Sequence, residues 1–194
     1  YSLSSTKNIA CYHSRQNPIK EIIPIDSNET YYLGYLIQKA IKEQVELSNN
    51  EKAWLDEKVK MESIIKKGEY NNDTYLVSDY MDVYVATSMR EKHEFILTYE
   101  FVRELFGSPS VTELNLRYFD PTQAYCNDRI DKGLTEALML KLAACTIYLV
   151  QEKDTFGKDS ELASTLAQGK PVIAYVPNGD KNYADHLLQI NKKV

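Results

Sequence analysis

Asp82-Val83-Tyr84-Val85-Ala86-Thr87-Ser88 is a run of β-branched and aromatic residues that closes on two hydroxyl side chains. Residues of this kind prefer extended backbone, and the run predicts a strand over 82–87. Three more runs of similar character follow, at 116–119, 145–150 and 171–176. Helical periods fill the gaps: Phe95, Tyr99, Val102 and Phe106 mark one apolar face, and Leu134, Leu138 and Leu142 mark another. A shorter helix is predicted from near Ser160 to just before Gly169, a glycine suited to a left-handed cap. Short strands that alternate with helices predict an α/β fold. The expected sheet is open and parallel, with four or five strands, helices on both faces and the 82–87 strand central.

Upstream, the pattern is helical. Leu33, Leu36, Ile37, Ala40, Ile41 and Val45 recur at helical spacing, which predicts an amphipathic helix over 29–47. Ser48 with Glu51 three residues later is the pattern of a capping box, and Gly68 is a stop signal, so a second helix is predicted over 50–67. The two form an αα-hairpin in this reading, and 68–73 is the loop after it. The division that follows is an N-terminal extension over 1–77 and an α/β domain over 78–194. Residues 1–28 hold one short apolar stretch, Ile22-Ile23-Pro24-Ile25, for which an edge strand and an ordered connector stay open.

Apolar residues make up 43% of the 194 and charged residues 26%, the balance of a globular domain rather than of a disordered chain. A formal charge of −5 argues against a broad footprint on duplex nucleic acid, which needs clustered Lys and Arg. No run approaches the roughly 20 apolar residues of a membrane span, and no apolar signal-peptide core stands at the start, so a cytoplasmic location is expected. A start at Tyr1 rather than at a methionine fits one part of a longer polypeptide. Cys11, Cys126 and Cys145 show neither metal-ligand nor disulfide-framework spacing, and Cys145 reads as core. His13, His93 and His186 lack partners at ligand spacing, so no metal is expected.

In an open parallel sheet, ligands bind beyond the carboxyl ends of the strands. The segments 87–90, 120–125, 151–157 and 177–180 are therefore the places to look for chemistry. Among them, Arg90 offers a guanidinium for phosphate or a ribose hydroxyl, with Ser88 beside it; the alternative is a solvated arginine in the charged stretch 90–93. Asp120 ends a strand and Asp131 enters a helix, where turns and caps also use Asp. Tyr84 and Tyr125 are the two of fifteen tyrosines expected to face a base, and the rest read as packing. Asp159 or Ser160 is expected to cap the last helix, which puts Glu161 in its first turn, where the helix dipole favours an ionised carboxylate. A carboxylate near an anomeric carbon can act as a nucleophile or stabilise an oxocarbenium ion. First turns also attract acidic residues for the dipole alone.

Val83-Tyr84-Val85-Ala86 with Thr87-Ser88, then Asp154-Thr155-Phe156-Gly157, Glu161-Leu162 and Gly169-Lys170-Pro171-Val172 resemble, in this order, the nucleoside 2-deoxyribosyltransferase family. Residues 82–88 and Ser160-Glu161-Leu162-Ala163 are also similar to the first strand and catalytic helix of TIR domains. Ala163 stands where the transferases usually have glycine, and the aromatic–cysteine pair frequent before the TIR glutamate is absent. The resemblance covers about residues 81–177. It implies a flavodoxin-like architecture, Glu161 as the catalytic carboxylate, and Thr87, Ser88, Arg90, Asp120, Tyr84, Tyr125 and Asp154 as substrate-binding residues. It further implies cleavage of an N-glycosidic bond, with NAD as substrate rather than cofactor, nicotinamide and an ADP-ribose product, and a role in bacterial antiviral defence. Partners expected on the same ground are the nucleotide or nucleoside itself and a homo-oligomer or further domains, without duplex nucleic acid or membrane. The competing readings are a nucleoside transferase or nucleotide glycosidase, and a non-catalytic nucleotide sensor or TIR interaction module. A sensor built on a glycine-rich phosphate loop disagrees with seven glycines and no G-x-G-x-x-G.

Overall fold

The computed structural model describes residues 22–37, 39, 46–55, 58–151, 155–179, 185 and 188–189. In chain order the elements are α1 (Ser27–Tyr31), a π-helical turn (Tyr32–Leu36), α2 (Asn49–Leu55), α3 (Lys58–Leu76), β1 (Met81–Ala86), α4 (Lys92–Gly107), the one-turn α5 (Pro109–Thr112), β2 (Tyr118–Phe119), α6 (Arg129–Leu142), β3 (Ala143–Leu149), α7 (Phe156–Ala167) and β4 (Val172–Tyr175). The four strands form one sheet in the order β2-β1-β3-β4, and every pair is parallel. This is the expected α/β class, a flavodoxin-like open sheet with β1 in its interior. No helix of the described residues is long and apolar enough to cross a membrane.

Side chains of a strand alternate between faces, and β1 is buried on both. Tyr84 and Ala86 pack with Phe119, Tyr148, Met139 and Leu140 on the face covered by α6 and α7. Val83 and Val85 pack with Ile147, Leu149, Val102 and Phe106 on the face covered by α4. Cys145 lies half-buried at the margin of this second cluster, its thiol directed at the Asp82 carbonyl. Because β1 is flanked by β2 on one side and β3 on the other, the chain reverses its winding direction there. A crevice opens outside the carboxyl ends of β1 and β3, the usual ligand position in such sheets.

Four local expectations change. Gly68 does not end a helix: α3 runs through it to Leu76, so 68–73 is helix rather than loop. The missing side chain is used for close approach, since a Cβ at Gly68 would stand 2.5 Å from the Tyr125 Cβ, and the Tyr125 N–H donates to the Gly68 carbonyl at 3.1 Å. The first predicted helix begins as an α-helix at Ser27–Tyr31 and continues as the π turn Tyr32–Leu36, and 46–48 are not helical, while 38 and 40–45 lie outside the described residues. On α6 the predicted Leu134 and Leu138 are 59% and 46% exposed, and Thr135, Met139 and Leu140 are buried in their place. Apolar residues at 134, 138, 139, 140 and 142 occupy more than one face, so periodicity alone does not fix the rotation. Finally, α7 begins at Phe156 with Thr155 as its cap, not at Asp159 or Ser160.

The capping box at Ser48 is present: the Ser48 N–H donates to Glu51 Oε2 at 2.8 Å, and the Glu51 N–H donates to Ser48 Oγ at 3.3 Å. The segment at 22–25 is an ordered connector. Asn71 accepts from the Ile23 N–H and returns a bond to the Ile23 carbonyl, and Gln123 does the same for Ile25. Gly169 adopts φ +67°, the left-handed cap expected of it.

Candidate functional site

At the carboxyl ends of β1 and β3, Thr87 and Ser88 are tied to Gln151. The Gln151 Oε1 accepts from the Ser88 N–H at 2.6 Å and from Thr87 Oγ1 at 3.2 Å, and its Nε2 donates to the Ser88 carbonyl at 3.0 Å. Gln151 thus locks the two strand ends together. Thr87 also shares a 2.9 Å hydrogen bond with Thr98 of α4.

Glu161 reaches this crevice from α7. With Thr155 as cap it stands in the second helical turn, not the first, so the dipole contributes less than expected. The Tyr84 hydroxyl, on a side chain 1% exposed, donates to Glu161 Oε1 at 2.8 Å. Phe119 stacks on the Tyr84 ring at 5.2 Å and fixes it. The other carboxylate oxygen, Oε2, is buried without a hydrogen-bond partner among the described residues, and so is Ser88 Oγ. Glu161 and Ser88 line one cavity of about 160 Å³, which Tyr84, Thr87, Arg90, Lys132, Glu136 and Lys158 also line. Burial pushes the Glu161 carboxyl up to about 8; the Tyr84 hydrogen bond opposes this, and the neighbouring Glu136 carboxylate adds to it. The first-turn expectation of a readily ionised carboxylate is therefore reversed.

The cavity joins two carboxylates to three cationic side chains. Glu136 is pushed up by burial and held against that by Lys132, whose ammonium lies 3.7 Å away. Lys158 is 1% exposed; its ammonium donates to the Leu149 carbonyl at 3.1 Å and lies 4.8 Å above the Tyr148 ring. Arg90 is exposed at the cavity margin, in line with either of its two readings. Glu136, Lys132 and Lys158 were not among the residues expected from sequence. Lys158 and Glu161, three apart on one helix, had a legible helical spacing, but the late helix start placed Lys158 in a loop. Glu136 and Lys132 follow only from the rotation of α6.

Of the remaining expected residues, Asp120 does not line this cavity. It is 3% exposed at the end of β2 and lines a separate cavity, while its neighbour Pro121 lines the Glu161 cavity. Burial pushes Asp120 up to about 6, against two hydrogen bonds from Thr122. Tyr125 packs with Ile25, Leu33, Leu36 and Ile64 in the N-terminal cluster, away from Glu161. Asp131 is an exposed residue in the first turn of α6, and Asp154, Cys11, His13 and His186 lie outside the described residues. No family model matches the chain, and neither a curated protein nor a solved structure does.

Proposed function

We propose that the chain cleaves an N-glycosidic bond of a nucleotide or nucleoside, with NAD hydrolysis as the first reading and Glu161 as the group at the sugar. The observation that carries this is a pair of buried oxygens without partners among the described residues, Glu161 Oε2 and Ser88 Oγ, on two residues that line one cavity at the carboxyl edge of a parallel sheet. Buried polar atoms are nearly always satisfied, so two such atoms on residues of one cavity support a polar ligand there. In the reaction, the bond from the sugar's anomeric carbon to the base nitrogen breaks and the bonding pair leaves with the base. Water supplies the hydroxyl of the new sugar and the proton that is released. Glu161 offers negative charge to the oxocarbenium ion, either directly or as a transient covalent partner. A substrate with a cationic ring favours the ionised carboxylate when it enters, which suits a group that burial holds mostly protonated at neutral pH.

The cavity, at about 160 Å³, is smaller than the roughly 300–1,000 Å³ of sites that enclose a whole ligand. A sugar fits inside, and the rest of the substrate lies over the margin near Arg90. That size favours, as the second reading, a nucleoside glycosidase or transferase. The biological role proposed from the resemblance is that of a cytoplasmic defence effector acting as an oligomer or within a longer chain. The test is product analysis after incubation with NAD and with a panel of nucleosides and nucleotides, with Glu161→Gln alongside. Free nicotinamide supports the first reading and free base or exchanged base the second. A binding module remains if the protein retains a ligand and no product forms.

A further inference from the structure

A larger cavity, about 460 Å³, opens at the free edge of β2, between the connector at 22–25, the end of α3 and α4. Its size falls within the range of small-molecule sites. The walls are apolar and aromatic, with Ile22, Met81, Val102, Phe106 and Tyr118 among them. Two buried polar groups converge in it. Asp120 accepts both Thr122 hydrogen bonds on Oδ1, at 2.9 and 2.7 Å, and among the described residues its Oδ2 has no hydrogen bond. The Tyr75 hydroxyl, on a side chain 3% exposed, accepts from the Asp120 N–H at 3.3 Å, which leaves its own proton to donate. A residue with a carboxyl acceptor and one with a phenol donor therefore line the same cavity, and the phenol is bonded to the backbone N–H of the residue that carries the carboxyl. Arg103, exposed on α4 and lining the same cavity, is bonded among the described residues only to the Tyr99 hydroxyl and ring, so most of its donors have no hydrogen bond among those residues.

We propose that this cavity is a second small-molecule site, separate from the Glu161 cavity, that takes an amino-substituted heteroaromatic ring joined to an anionic tail. A donor and an acceptor on two linked residues of one largely apolar cavity suit a ring that carries an amino group beside an unprotonated ring nitrogen. The amino N–H donates to Asp120 Oδ2, the Tyr75 hydroxyl donates to the ring nitrogen, the aromatic walls take the ring faces, and Arg103 meets the anion. Adenine and cytosine mononucleotides have this chemistry. A purine without the amino group leaves Asp120 Oδ2 without its donor, and a nucleoside without phosphate leaves Arg103 unused.

The test is calorimetric titration of the full chain with AMP, CMP, adenosine and purine riboside monophosphate, which lacks the amino group. AMP or CMP is expected to bind in the micromolar range, with at least tenfold loss for the analogue without the amino group and a smaller loss for adenosine. Asp120→Asn turns the acceptor into a donor, and Tyr75→Phe removes the hydroxyl proton; each is expected to weaken binding at least tenfold. Arg103→Gln, at an exposed position, is expected to weaken AMP and leave adenosine unchanged. Thermal unfolding of each variant separates lost binding from lost folding, and Arg103→Gln keeps the test valid if either buried variant fails to fold. Glu161→Gln is expected to bind AMP as the wild type does. Absence of binding at millimolar nucleotide overturns the proposal, as does binding that ignores Tyr75→Phe and Arg103→Gln. Loss of AMP binding in Glu161→Gln assigns the nucleotide to the other cavity and also overturns it. None of these outcomes depends on whether the chain cleaves a glycosidic bond.

Discussion

Asp120 and Glu161 are both buried carboxyls at the carboxyl edge of the sheet, and they are held differently. Asp120 is the more deeply buried, yet it is pushed only to about 6, because Thr122 aims two hydrogen bonds at one of its oxygens. Glu161 is pushed to about 8 with, among the described residues, a single bond from Tyr84 and a second carboxylate, Glu136, nearby, against which Lys132 and Lys158 act. Donors aimed at a carboxylate favour its charged form, and a like charge disfavours it. Burial is the main cause of both shifts, and the contrast teaches that donor count and neighbouring charge set the difference between the two acids.

The sharpest way to break the comparison is Glu161→Gln. The amide keeps the shape and can still accept from Tyr84, while the charge is removed. Cleavage is expected to fall about 100-fold or more, on the order of 3 kcal/mol in the barrier, with the fold intact. Cleavage rate and thermal unfolding measured together check this. Unchanged turnover would reduce Glu161 to a structural carboxyl. In the wild type, kcat/KM is expected to rise with pH through an inflexion near 8 if the ionised carboxylate does the work, and a fall above that pH would mark Glu161 as a general acid instead.

The next effect is on stability. A carboxyl whose folded value is raised keeps its proton in the native state after the unfolded chain has released it. Its contribution is complete below the unfolded value near 4.5 and is lost as pH rises through about 8. Wild type should therefore lose on the order of 4 kcal/mol relative to Glu161→Gln between pH 5 and 9, read by denaturant unfolding. For Asp120→Asn the same sign is expected with a smaller amplitude, confined between about pH 4 and 6. Equal amplitudes for the two variants would contradict the account of donors and neighbours.

Gly68→Ala tests the segment the two cavities share. The new methyl would meet the Tyr125 Cβ at 2.5 Å and Leu33 at 2.9 Å, which displaces the chain that runs back to Asp120 and Pro121. A loss of about 2 kcal/mol is expected in denaturant unfolding. Gly133 lies in α6 with open space around it, so Gly133→Ala should stabilise by about 0.5–1 kcal/mol and serves as the control. Tyr84→Phe is expected to cost about 1 kcal/mol of stability, for one hydrogen bond. Its diagnostic consequence is in the pH profile: without the donor that favours ionisation, the Glu161 inflexion should move upward. An unmoved inflexion would mean that Tyr84 only packs.

The alternation of β-rich runs with helical periods carried the fold class, because strand and helix periods differ enough to be read locally. The site was legible in part. Thr87, Ser88, Tyr84 and Glu161 were singled out from their positions after or within predicted elements and from the family resemblance, and they line one cavity. Lys132 and Glu136 were not, since α6 has apolar residues on several faces and its rotation depends on what it packs against. Asp120 was read as part of the same edge but lies across it, because a two-residue strand leaves its end to be placed by Tyr75 and Thr122.

By itself, then, the sequence determined an α/β chain with a parallel sheet, the capping box at Ser48 and the left-handed cap at Gly169. These depend on spacing and on intrinsic backbone preference, both local properties. The tertiary structure alone decided that Gly68 lies inside a helix against Tyr125, that Glu161 is buried rather than dipole-stabilised, and that Asp120 and Glu161 serve different cavities. Each of these turns on which distant groups come within a few ångströms. Close packing and desolvation are set by those neighbours, and they are not written in the order of residues along one segment.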